Sequence, residues 1–214
     1  TGTGTLQITS TGATLDGNLN VNGGTVQITD FRSVNMHSAS ATNGVINIGS
    51  SGTAGTLTIG TATAATAAGL TLAAAKVINL AGTTGGATIN ANQAGANPVI
   101  IGTINVTGAG VKTLTLGGTS TADNRITGAI ANNSGTNTTA LVKTGPGTWL
   151  LSGVNTYTGS TTISNGTLKL TANAAASTVV DNASAIIFNA NTAAGSAGGT
   201  LQFTGSTGAA TTES

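Results

Sequence analysis

The chain contains no cysteine, which excludes a fold pinned by disulfides. Charge is almost as scarce. Only 5% of the 214 residues are charged, six Lys plus Arg against five Asp plus Glu, for a formal charge of +1. That balance supplies neither the basic patch that nucleic acid requires nor an acidic tail. Aromatic residues make up 2%, too few for a wide core built on Phe, Tyr and Trp. No charged leader followed by an apolar segment is visible. The chain opens at Thr1 rather than Met, so a removed leader or an excised fragment is expected. The most apolar stretch, residues 62–81, is interrupted by Thr and by Lys76. It therefore lacks the run of about 20 apolar residues that crosses a bilayer. Missing cysteine and scarce charge together suit a bacterial protein that crosses a periplasm and folds outside.

What is present narrows the fold. There are 33 glycines, and hydrophobic residues reach 38%. Disordered chains combine low hydrophobicity with high charge, which is the opposite balance. Val, Ile and Leu recur in short alternating groups. A narrow core of small aliphatic residues, repeated along one axis, fits this composition, as in a solenoid whose repeats touch only their neighbours. The motif G-T-Φ-x-Φ (Φ apolar) begins at Gly4, Gly24, Gly55, Gly166 and Gly199. Looser copies are Val45–Ile48, Val77–Leu80, Ile104–Val106 and Lys112–Leu116. Neighbouring exact copies lie 20, 31 and 33 residues apart, a range typical of solenoid coils of unequal perimeter. Alternation with period 2 over about 5 residues predicts strands. Asp16-Gly17, Asn22-Gly23, Asn43-Gly44 and Asn165-Gly166 favour hairpins when taken alone, but in a solenoid such pairs make corners. A sandwich of hairpins is the rival fold. Residues 62–76, rich in Ala, are read as a loop or irregular coil because Thr and Gly69 interrupt them.

Residues 141–170 concentrate the pattern. Trp149 with Leu151, Thr161 with Ile163, and Leu168 with Leu170 each share a face. Gly145-Pro146-Gly147, Ser152-Gly153, Thr158-Gly159 and Asn165-Gly166 separate the runs. Three such strands are expected to form one coil. The run K-x-G-x-G-x-W-x-L-S-G-x-N-T-Y-T-G-x-T-T-I-x-N-G-T-L-x-L resembles the passenger-associated repeat of bacterial autotransporters, with Trp149 where that repeat commonly has Leu. The resemblance implies an exported β-helix in which the repeat is structural and aids secretion and folding. The residues that would carry the repeat are Gly145, Gly147, Trp149, Leu151, Gly153, Asn155, Tyr157, Gly159, Ile163, Gly166, Leu168 and Leu170. It implies no catalytic residue. The translocating barrel of autotransporters is not part of this sequence.

The expected fold is all-β, one single-stranded β-solenoid over 1–214, a right-handed β-helix, with a possible protruding loop at 30–42. About 7 to 10 turns, at about 4.8 Å each, would make a rod roughly 35 to 50 Å long. Neither end shows a polar cap, so the rod is expected to stack end to end or to be part of a longer chain. Aligned Asn side chains at corners could form ladders.

The inventory for chemistry is thin. Asp16, Asp30, Asp123, Asp181 and Glu213 are far apart, where glycoside hydrolysis needs two carboxylates at one bond. His37 is the single histidine, and no second His or Cys completes a metal site with it. No calcium-binding G-G-x-G-x-D series and no phosphate-binding loop occurs. The Asn-x-Ser/Thr triplets at Asn105, Asn137, Asn165 and Asn182 follow from composition rather than glycan attachment. Thr-x-Thr pairs at Thr56/Thr58 and Thr113/Thr115 raise an ice-binding reading, but it needs aligned coils and the spacings drift. No catalytic, cofactor or metal site is therefore expected. The expected function is a structural rod, stalk or filament on a bacterial surface or outside the cell, built by self-association. The alternative is an adhesin whose side loops, such as 30–42, hold a host or glycan ligand.

Overall fold

A computed structural model describes residues 4–9, 17–36, 44–61, 70–171, 185–189 and 198–204. The chain winds through eight turns, and every strand–strand pairing is parallel. The first turn holds β1 (Thr5–Ile8) and β2 (Leu19–Val21), the second β3 (Gly24–Ile28) and β4 (Val45–Ile48), the third β5 (Gly55–Ile59) and β6 (Val77–Leu80). The fourth holds β7 (Ala87–Ala91), β8 (Ile100–Ile101) and β9 (Thr103–Val106), and the fifth β10 (Lys112–Gly117) and β11 (Asn124–Ile126). β12 (Thr139–Lys143) and β13 (Thr148–Leu151) form the sixth, β14 (Thr161–Ile163) and β15 (Thr167–Thr171) the seventh, β16 (Ile186–Phe188) and β17 (Thr200–Thr204) the eighth. An eight-stranded sheet runs the whole length through β1, β3, β5, β7, β10, β12, β14 and β16. A four-stranded sheet of β2, β4, β6 and β9 flanks its first half, and a five-stranded sheet of β8, β11, β13, β15 and β17 its second. The fold is thus the all-β parallel solenoid expected.

The turns differ in length yet stack in register. Thr5 pairs with Thr25, Thr25 with Thr56, Thr56 with Thr88, Thr88 with Thr115, Thr115 with Val142, Val142 with Thr162 and Thr162 with Ile187. Successive turns therefore consume 20, 31, 32, 27, 27, 20 and 25 residues. The surplus in the second and third turns lies between the eight-stranded and four-stranded sheets, in residues 29–44 and 60–76. The returns at 49–54, 81–86 and 107–111 are each five or six residues, so they bring each strand back above the last.

Inside, side chains form columns. Leu57, Ile89, Leu116, Lys143 and Ile163 stack on one another with no solvent exposure. In the five-stranded sheet Ile101, Ile126, Leu151 and Leu170 make another column, and Trp149 lies under Leu168. Each buried CH₂ contributes about 0.8 kcal/mol. At the corner after the eight-stranded sheet, Gly145 (φ +65°) and Gly166 (φ +68°) stack one above the other. A Cβ at Gly166 would run into the carbonyl oxygens of Gly145 and Gly147, so both left-handed backbone and missing side chain are required.

Several expectations change. The three runs in 141–170 do not form one coil. Trp149 pairs with Leu168 and Leu151 with Leu170, so the first and third runs occupy successive turns of one sheet, while Thr161–Ile163 lies in another. The exact G-T-Φ-x-Φ copies split likewise: those at Thr5, Thr25 and Thr56 build the eight-stranded sheet, those at Thr167 and Thr200 the five-stranded one. The motif encodes a strand after a glycine corner, whichever sheet follows. Residues 30–36, the described part of the stretch expected to protrude, turn inward. Phe31–Val34 is a short 3₁₀ helix capped by Asp30, and Phe31, Val34 and Met36 are buried. Residues 37–42, His37 among them, lie outside the described residues. Residues 70–76 are irregular, as read, with Leu70 and Leu72 buried; 62–69 lie outside the described residues. Asn165-Gly166 makes a corner between β14 and β15, as expected of such a pair in a solenoid.

Leu151→Asp and Leu168→Asp each place an unpaired carboxylate in a water-free column. Each is expected to lower stability by more than about 4 kcal/mol, read as a collapsed melting transition in circular dichroism. Lys169→Ala, on the outer side of the same strand, should melt within about 0.5 kcal/mol of the parent.

Candidate functional site

Among the described residues no helix is long and apolar enough to span a membrane, and no group of three His, Cys, Asp or Glu could hold a metal ion. Of the acids named from sequence, Asp30 takes up Arg32 in an ion pair at 2.5 Å and caps the 3₁₀ helix. Asp123 pairs with Lys169 at 2.7 Å on the surface. Asp16, Asp181 and Glu213 lie outside the described residues. The two described carboxylates are not brought together at one site. What the described residues offer instead is a set of polar corners and three outer faces.

The corners are where sequence reading missed most. Where the chain leaves a sheet, buried carbonyls lose their strand partners and need other donors. Lys143, fully buried, donates from Nζ to the carbonyls of Thr144 (2.7 Å), Gly145 (2.8 Å) and Asn165 (3.0 Å). It joins two successive turns. Burial lowers its pKa from 10.5 to about 8. Lys112 does the same at another corner, donating to the carbonyls of Gly82 and Ala109, and burial lowers its pKa as well. Asn124, also fully buried, is a hub. Its Oδ1 accepts from Gln93 Nε2 (2.6 Å) and the Val99 amide (3.0 Å), and its Nδ2 donates to the carbonyls of Ala122 (3.0 Å) and Thr148 (2.9 Å). Three consecutive turns meet there. Asn155 repeats the device, accepting from the Ile130 amide at 2.9 Å and donating to the Gly153 carbonyl at 3.1 Å. The only sign of these roles in sequence is a polar residue at an inward position of an alternating run.

The repeat residues occupy distinct places. Trp149, Leu151, Ile163, Leu168 and Leu170 lie in the core columns, and Trp149 Nε1 also donates to the Gly117 carbonyl at 2.8 Å. Tyr157 is buried, and its hydroxyl shares a hydrogen bond with Thr161 Oγ1 at 2.7 Å; burial raises its pKa to about 12. Gly145, Gly147, Gly153, Gly159 and Gly166 sit at corners where a Cβ would meet the backbone of the turn before.

The three outer faces differ in chemistry. On the four-stranded sheet Asn20, Asn47, Asn79 and Asn105 are in register. Asn47 Nδ2 donates to Asn20 Oδ1 (2.7 Å) and Asn79 Nδ2 to Asn47 Oδ1 (2.8 Å). An asparagine ladder was expected at corners; it runs instead up the middle of a sheet, because outward mid-strand positions repeat most regularly. The five-stranded sheet presents Arg125, Leu150, Lys169 and Gln202 in register. The eight-stranded sheet presents Thr5, Thr25, Thr56, Thr88 and Thr115. Drifting spacings argued against aligned threonines. The register shows that this inference was wrong for one column, since the extra residues are absorbed elsewhere in each turn. Thr58 and Thr113 fall on opposite sides of it.

Comparison with known proteins places this architecture. Residues 141–170 match the family model of the passenger-associated-transport-repeat. Over 82 residues the chain is 42% identical to a protein of Brucella suis biovar 1 (strain 1330) named Adhesin BmaC autotransporter, a match covering 36% of this chain and 2% of the relative. No solved structure matches the chain. The molecule is therefore a β-solenoid similar to autotransporter passengers, a likeness that marks an exported, outer-surface or extracellular protein. More particularly, it carries a passenger-associated-transport-repeat at 141–170, and the chain spans about 2% of the length of the curated relative it matches. The repeat closes one turn within itself: Leu141 pairs with Thr161 and Trp149 with Leu168. Thirty residues are thus enough to specify two stacked rungs.

Asn124→Ala strips partners from buried groups on three turns and is expected to cost roughly 3 kcal/mol or more in denaturant unfolding. The buried titrating groups set the pH response. Between about 8 and 10.5 the unfolded chain holds the Lys143 proton more tightly than the folded one, so stability rises with pH there. Between 10.0 and about 12 the folded chain holds the Tyr157 proton more tightly, so stability falls. Denaturation midpoints measured against pH should peak where these windows meet, at 10.0 to 10.5; Lys143→Met should flatten the rise and Tyr157→Phe the fall.

Proposed function

We propose that this chain is a length of stiff rod within an exported, surface-displayed protein, extended by further coils stacked on its open rungs. One observation carries the reading. The column that runs buried through Leu57, Ile89, Leu116 and Ile163 begins at Leu6, 59% exposed, and ends at Phe188, 55% exposed. Both ends are therefore of the same apolar kind, and each terminal strand of the eight-stranded sheet has one described neighbour. An unpaired parallel edge beside an uncovered apolar column templates another rung. A second copy, or flanking repeats of a longer chain, would supply it. The corner lysines and amides tie the third to seventh turns together, which favours rigidity over catalysis, and the proposed role is not enzymatic.

A second reading, adhesion, is supported by the name of the Brucella relative. Ligand contact would then fall on side loops or outer faces, with the rod as its carrier.

Electron microscopy of the purified chain at micromolar concentration should show unbranched fibres one solenoid wide. Leu6→Lys and Phe188→Lys should shorten them while leaving the melting temperature unchanged. Particles that stay single at every concentration would count against end stacking. Binding in a glycan array by such single particles would favour the adhesin.

A further inference from the structure

The outer face of the eight-stranded sheet carries a row of polar groups that the fold leaves unused. Thr5, Thr25, Thr56, Thr88 and Thr115 stand in register on five consecutive turns, and all are partly or fully exposed. Among the described residues none of their hydroxyls makes a hydrogen bond. The other two faces behave differently. Asn20, Asn47 and Asn79 of the four-stranded sheet bond in sequence, and Lys169 of the five-stranded sheet is paired with Asp123. The column beside the threonines is also partly tied down, with Gln27 donating to the Gly60 carbonyl at 3.3 Å and Asn90 to Thr58 Oγ1 at 3.5 Å.

Geometry decides what the free hydroxyls can bind. Rungs lie about 4.8 Å apart, whereas two oxygens share a hydrogen bond at about 2.8 Å. Stacked hydroxyls therefore cannot satisfy each other, but one water between each pair can. Such waters inherit the rung period, which is close to the oxygen repeat of crystalline water. The strands of this face present no ionisable side chain outward, since Lys112 and Lys143 point into the core. Ionic recognition is thus excluded and a neutral partner is selected. Trp149, Tyr157 and Phe31 are buried, and Phe188 and Phe203 follow the inward positions of Ile163 and Leu170, so no ring stands on this outer face to stack on a sugar. The backbone ladder holds the row rigid in advance, so little order is lost on binding.

We propose that this threonine face binds ice through a row of waters held at rung spacing. The site is on the side of the solenoid, and the proposal does not depend on how its ends are covered. The test is partition of the purified chain into slowly growing ice, together with the shape of ice crystals in its presence. The expected result is several-fold enrichment in the ice fraction and faceted crystals. Thr56→Lys and Thr88→Lys should abolish both with unchanged melting temperature, and Leu150→Lys, on the outer face of the five-stranded sheet, should retain both. Exclusion of the parent chain from ice would overturn the proposal. So would equal incorporation of Thr88→Lys, or threonine-dependent binding to microcrystalline cellulose or to a second copy without ice binding.

Discussion

The parallel hydrogen-bond ladder from one turn to the next is the constraint on which everything else rests. It fixes a step of about 4.8 Å along the axis and places like positions over like positions. A turn can be 20 or 32 residues long provided its strands return to the same register. Length is therefore free between sheets and forbidden within them. This explains why the returns at 49–54, 81–86 and 107–111 are nearly constant while 29–44 and 60–76 are long.

A slim core makes polar corners expensive, because carbonyls that turn inward meet neither water nor strand partners. The chain answers with side chains that reach across turns. Lys143 binds carbonyls from two turns, and Asn124 links three. These residues interrupt aliphatic columns, which costs apolar burial, yet they couple neighbouring turns more specifically than stacked Leu or Ile could. Glycine completes the corner by letting one backbone lie directly on another. The passenger-associated repeat contains all three devices: apolar column residues, the corner lysine and stacked glycines.

Such an object separates its surfaces by task. At the first and last described strands of the eight-stranded sheet the core column surfaces as Leu6 and Phe188. Its sides present three different outward columns, threonine, asparagine and a mixed charged row, each repeated at rung spacing. The two described carboxylates, Asp30 and Asp123, are each taken up in an ion pair rather than gathered at one site.

Alternation, glycine punctuation and the recurring G-T-Φ-x-Φ motif made the solenoid legible, because strand period and corner chemistry are local properties. The inward placement of Trp149, Leu168 and Leu170 could be read for the same reason. Register could not be read, since it depends on how residues 20 to 33 apart come together. So the sequence placed the three runs of 141–170 in one coil, set a loop at 30–42 whose described part turns inward, and judged the threonines unaligned. The buried lysine and asparagine hubs were also invisible, because a polar residue inside an alternating run looks like any outward one. Sequence by itself determined that this chain forms short strands around a thin aliphatic core. Tertiary structure alone decided which strand lies on which, because vertical stacking joins residues that no local pattern connects.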